Sequence, residues 1–151
     1  MSINATQRNA TNNQSTVDFV RQNLFLYGAR FAKGVLANNL DPAASQNATT
    51  GQLVVRDTDT AGQVELATAS NLADVLGITF MNDETLASGA TVSIDYAIRG
   101  DIDGGLLQLP TNVTLDTVVG NKALRDVLND LGFAIFAVQE QTKIDKRADT
   151  I

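Results

Sequence analysis

The chain has 151 residues, of which 44% are hydrophobic, 19% charged and 5% aromatic, and it carries a net charge of −6. With no Cys and no His, disulfide frameworks, Cys/His zinc sites, Ser-His-Asp triads and Cys-His dyads are excluded. An acidic chain repels phosphate backbones, so nucleic acid is not an expected partner, and no apolar run of about 18 residues offers a membrane span.

Length favours one domain with room for an appended arm. The unusual part of the composition is uncharged and polar: 16 Thr, 13 Asn and 9 Gln make 38 of the 151 residues. Such residues suit strands, turns and contact surfaces better than catalytic clefts.

Residues 1–16 carry a single charged side chain, Arg8, and almost no apolar bulk. They cannot bury enough surface to offset the entropy of ordering, so this segment is expected to be mobile alone and to order on a partner. It also lacks the apolar core of a signal peptide, which fits assembly in the cytoplasm. Residues 17–33, VDFVRQNLFLYGARFAK, form an apolar amphipathic zone. Val17, Val20, Leu24, Tyr27 and Phe31 recur at spacings of 3, 4, 3 and 4, which predicts one face of a helix capped by Ser15 or Thr16. Phe19, Phe25 and Leu26 lie off that stripe and Gly28 weakens it, so an extended hydrophobic arm competes with the helix. The zone either packs on its own core or docks on a partner. Residues 34–50 read as a loop with a turn at Asp41-Pro42.

A β-rich domain is predicted over 51–142. Gln52–Arg56 and Gln63–Ala67 flank the turn DTDTAG as a hairpin, and Val75–Phe80 follows as a further strand. In Ala90–Arg99, Val92, Ile94, Tyr96 and Ile98 alternate with other residues, the clearest strand pattern in the chain. Gly100–Gly105 reads as a turn and Leu106–Pro110 as a strand that proline ends. One helix is predicted near 121–131, with Asn121 as N-cap and Gly132 as C-cap. Phe133–Gln139 is then a buried strand, and residues 143–151 form a charged tail that frays.

Few motifs carry chemistry. Asp101-x-Asp103-Gly104-Gly105 matches the opening of a calcium loop, but position 12 of that loop falls on Asn112, where a bidentate Glu is needed. A hairpin turn is the simpler reading, and Asp57-Thr-Asp59 reads the same way. No GxxxxGK[ST] or GxGxxG occurs, so no phosphate-cradling loop is expected. No cofactor, metal or catalytic residue is therefore expected. Charge is distributed unevenly. Residues 1–40 hold Arg8, Arg21, Arg30 and Lys33 against Asp18, while residues 57–103 hold nine carboxylates against Arg99. A mildly basic, aromatic arm precedes an acidic β-domain.

Several segments together resemble the small capsid decoration, or cement, proteins of tailed bacteriophages. They are Gly51-Gln-Leu-Val-Val, Gly62-Gln-Val-Glu-Leu-Ala, Ala73-Asp-Val-Leu-Gly-Ile-Thr, Ala87-Ser-Gly-Ala-Thr-Val-Ser-Ile, Gly100-Asp-Ile-Asp-Gly-Gly and Leu131-Gly-Phe-Ala-Ile-Phe-Ala. The likeness covers roughly residues 51–140; the long first fifty residues and the helix near 121–131 depart from a minimal cement protein. The resemblance implies a small β-barrel or β-tulip-like domain on the exterior of an assembled head, as a homo-oligomer with a trimer favoured. Its partner would be the major capsid protein, reached by the N-terminal arm, with no nucleic acid or membrane involved. On this reading Phe19, Leu24, Phe25, Tyr27, Arg30 and Phe31 are the capsid-binding residues, since aromatic and Arg anchors dominate protein interfaces. The alternative is a tail or fibre component that binds a host surface.

Overall fold

A computed structural model describes residues 23–136, and the fold is mainly β. The strands are β1 (Phe25–Ala37), β2 (Gln46–Ala48), β3 (Leu53–Arg56), β4 (Gln63–Leu66), β5 (Val75–Phe80), β6 (Glu84–Leu86), β7 (Thr91–Asp103), β8 (Val118–Val119), β9 (Lys122–Ala123) and β10 (Phe133–Phe136). A single α-helix among the described residues, α1 (Leu124–Leu131), precedes β10. The main sheet runs β1-β4-β3-β5-β7-β10, and β1 pairs again with β7. That second pairing closes five strands into a ring, so β10 continues the sheet beyond it. The β1–β4 and β7–β10 pairs are parallel and the remaining pairs antiparallel.

Closure gives the sheet two covered faces. Inside the ring lie Leu36, Val54, Val64 and Ile94, with Leu66 and Tyr96 against them. On the outer face Leu53, Val55, Ile78, Ala97 and Ile102 pack beneath Leu124 and Leu128 of α1 and beneath Phe133. The consecutive run Leu53-Val54-Val55 is therefore buried at every position. Adjacent side chains enter opposite cores, which is why the run is uniformly apolar rather than alternating. Full burial of each such side chain contributes about 1.5–3 kcal/mol. Tyr96 fills space that two neighbouring strands leave open: a Cβ on Gly34 would lie 3.0 Å from its Cε1 and one on Gly77 would lie 2.9 Å from its Cδ2. An aromatic ring laid over strand glycines restores the packing they lack.

The hairpin β3–β4, the strand β5 and the alternating segment within β7 stand where the hydrophobic patterning puts them. β7 extends to Asp103, past the turn expected at Gly100–Gly105. Leu106–Pro110 is not a strand: Gly104–Leu106 is a 3₁₀ turn, and the segment makes one bridge, Gln52 to Gln108. α1 is not capped by Asn121. It starts at Leu124 with no side-chain cap, and the amides of Leu124 and Arg125 instead donate to the carbonyls of Thr117 and Leu115 at 2.8 and 2.9 Å. Its C-cap is Gly132, at φ 115°, a left-handed conformation that suits glycine. The strand expected to reach Gln139 is described only as far as Phe136.

The larger correction concerns the arm. From Phe25 to Lys33 the chain is strand, not helix, and β1 carries on to Ala37, into the segment expected to be loop. Gly28 adopts φ 67° where the β1–β7 register shifts between Tyr27 and Arg30. The pairing with β7 runs from Ala37↔Thr91 to Phe25↔Ile102, and these ladder hydrogen bonds outweigh the local helical spacing. β1 also contributes Leu36 to the core, so the compact unit is Leu24–Phe136 and begins well before Gly51. The expected helix start and its caps at Ser15 or Thr16, and the charged tail 143–151, lie outside the described residues.

Candidate binding surface

Where the covering layer of α1 ends, the outer face of the sheet carries three phenylalanines. Phe25 and Phe31 stand edge to face with centroids 5.4 Å apart, Phe25 and Phe80 do so at 5.8 Å, and Phe31 and Phe80 are tilted at 5.2 Å. Pairs in such geometry contribute about 0.5–1.5 kcal/mol beyond area burial. The cluster is nonetheless open to solvent, with Phe31 43% and Phe80 49% exposed. Tyr27 on the same strand is 79% exposed, and Leu26 is also exposed. Monomeric surfaces rarely leave large apolar groups together without a partner for them.

Charged groups adjoin the rings. Lys33 Nζ meets Asp95 Oδ1 at 3.0 Å across β1 and β7. Arg30 and Arg99 occupy directly opposed positions on the same two strands, and both are exposed. An open groove of about 810 Å³ runs from Phe80 past Lys33, Val35, Ser93 and Asp95 to Glu84. Phe80 lines this groove and also belongs to the ring cluster, so the two form one continuous surface. An aromatic anchor beside charged groups is the make-up of a contact surface, with apolar pieces to bury and a polar rim to orient them.

The acidic motifs act as turn formers. Asp57, buried, accepts from the amides of Asp59 and Thr60 at 2.7 and 3.3 Å and from Asn39 Nδ2 at 2.5 Å. Asp103, also buried, accepts from the Gly105 amide at 3.0 Å and holds the 3₁₀ turn. Near the first turn, burial and then the charges of Asp57 and Asp59 push the Glu65 carboxyl above its ordinary range, although Asn39 donates to it.

Of the residues expected to bind a partner, Phe25, Tyr27, Arg30 and Phe31 are brought together on β1. Leu24 is a correction: it is 7% exposed and belongs to the outer core, so its side chain supports the fold from within. Phe19 lies outside the described residues. Phe80 and Arg99 were not anticipated. They are distant in sequence, at the end of β5 and within β7, and only the strand pairing places them beside β1. Among protein-family models none matches the chain, and no curated protein matches it.

Proposed function

We propose that the protein is a virion structural protein that binds the outer surface of an assembled phage head and cements neighbouring major capsid subunits, without catalysis. The observation that carries this reading is the Phe25–Phe31–Phe80 cluster, whose rings pack on one another while Phe31 and Phe80 stay open to solvent. Aromatic side chains held rigidly by their neighbours lose little entropy on contact and serve as interface hot spots. The segmental resemblance to decoration proteins supplies the kind of partner. A cement protein stabilises a shell by binding the assembled state alone, so many weak sites add up by mass action. That task asks for contact area, on the order of 1,600 Å² for a stable interface, rather than for reactive groups.

The test mixes the full-length protein with expanded and unexpanded capsids of the virus that carries its gene, followed by sedimentation. Stoichiometric binding to expanded capsids is expected. The double variant Phe31→Ser/Phe80→Ser should bind at least about tenfold more weakly, as loss of central aromatic anchors does, while keeping its far-UV circular dichroism. Absence of binding to either shell, or full binding by the folded double variant, would remove the reading.

A further inference from the structure

The cationic side of the β1–β7 surface carries an arrangement that no ion pair among the described residues compensates. Arg30 and Arg99 are cross-strand partners in the register, both exposed, in a chain of net charge −6. Like charges directly opposite one another on paired strands are destabilising. The ion pairs of the described residues join Lys33 to Asp95, Lys122 to Asp130 and Arg125 to Asp116, and none of these neutralises the two arginines. Tyr27 and Ile98, on the same two strands, are 79% and 40% exposed.

The opposite imbalance sits at the far end of the same strand. β1 runs parallel to β4 with Val35 opposite Gln63, which sets Glu65 level with Ala37, seven residues along from Arg30. At about 3.3 Å per residue, roughly 20 Å separates Arg30 from Glu65, beyond the combined reach of their side chains. Asp59 is exposed on the turn that leads into β4, and Glu65 is half-buried beside it, with Asp57 adding a third negative charge beneath. One copy cannot bring its arginine pair to these carboxylates. A neighbouring copy can.

We infer that the Arg30–Arg99 face of β1 and β7 is an interface for a second copy of this chain, which presents Asp59 and Glu65 to the two guanidinium groups. Arginine suits this role because its planar fork accepts a carboxylate with two parallel hydrogen bonds. The contact is heterologous, joining the arginine patch of one copy to the acidic patch of the next. Exposed Tyr27 and Ile98 become buried at the centre of such a contact, and the charges at its rim set register and partner choice. The inference goes beyond the proposed function, which names no contact between copies of this chain. It needs no capsid for its test, so a protein that assembles but binds no shell would refute only the capsid reading.

The experiment is sedimentation velocity of the full-length protein over a concentration series at low and high salt. Self-association is expected, weakening as sodium chloride rises because exposed ion pairs are screened. Two charge-reversed proteins, Arg30→Glu/Arg99→Glu and Asp59→Lys/Glu65→Lys, should each self-associate at least about tenfold more weakly. Mixed in equal amounts they should associate with each other, since each then meets a complementary face. Arg30→Gln/Arg99→Gln, which removes charge without reversing it, should fall between the wild type and the reversed form. Circular dichroism identifies any variant that has not folded, and the salt dependence of the wild type tests the idea without a substitution. A wild type that is monomeric throughout overturns the inference. So does association unaffected by salt and by both reversals, which would assign the face to a different partner. Lowered thermal stability of a monomeric reversed protein beside a monomeric wild type would assign it to the chain's own terminal segments and equally overturn it.

Discussion

Gly77 is the position at which the closed sheet leaves least room. It lies in β5 opposite Val54 of β3, and a Cβ there would stand 2.1 Å from the carbonyl oxygen of Ala97 on β7 and 2.9 Å from Tyr96 Cδ2. The nearest obstacle is backbone, so a rotamer change cannot relieve it. Gly77→Ala must instead move β5 away from β7 by about 1 Å, a displacement that close-packed interiors resist. That movement strains the neighbouring pairs Ile78↔Ala97 and Thr79↔Tyr96. Overpacking costs about 1–3 kcal/mol, and weakening two ladder hydrogen bonds adds about 1 kcal/mol each, for a loss of about 3–5 kcal/mol. Gly28 is the control. It adopts φ 67° with nothing within 4 Å of a prospective Cβ, so Gly28→Ala meets only the left-handed strain of about 1–2 kcal/mol, offset in part by a stiffer unfolded chain. Thermal unfolding followed by circular dichroism compares them. At about 3 °C per kcal/mol for a chain of this size, Gly77→Ala should lower Tm by about 10 °C and Gly28→Ala by about 3 °C. Equal losses, or a smaller loss for Gly77→Ala, would refute the assignment of Gly77 to a close backbone approach within a closed sheet.

Asn38 is buried just beyond β1. Its Nδ2 donates to the carbonyls of Ala44 and Leu86 at 2.7 and 3.0 Å, and its Oδ1 accepts from the Leu40 amide at 3.1 Å. Asn38→Leu leaves these backbone groups unpaired and should destabilise the fold by about 3 kcal/mol, read from the urea midpoint; an unchanged midpoint would show that the three bonds are dispensable. The Glu65 carboxyl is raised above its ordinary 4.5 by burial and then by Asp57 and Asp59. A folded state that holds this proton more tightly than the unfolded state loses stability as pH rises from about 4.5 through the raised value, and the penalty persists above it. Glu65→Gln should therefore raise Tm at pH 7 and converge with the wild type at pH 4; a Tm gain of the same size at both pH values would place the effect outside Glu65 ionisation.

The strands legible in the sequence are those with purely local signals. Val92, Ile94 and Tyr96 alternate because they line the inside of the ring, and the turn after Arg56 is written in Asp57, whose carboxylate accepts from the amides of Asp59 and Thr60. Gly132 is legible for the same reason, since a helix end needs a left-handed residue and glycine supplies it at no steric cost. Half of the candidate surface was legible as well: Phe25, Tyr27, Arg30 and Phe31 fall within one aromatic, basic stretch.

Sequence alone determined a mainly β protein without the residues for thiol or imidazole chemistry, with a basic aromatic segment ahead of an acidic one. Tertiary structure decided what that segment is. The spacing of Val17, Val20, Leu24, Tyr27 and Phe31 suits a helix, but local spacing records only which residues are apolar, while strand formation depends on a partner strand some sixty residues away. Pairing with β7 made the Phe25–Ala37 stretch of the expected arm a wall of the ring, and left Leu24 in the core, Phe31 beside Phe80 and Arg30 opposite Arg99. Those juxtapositions belong to register, and register is set by which faces can be buried together.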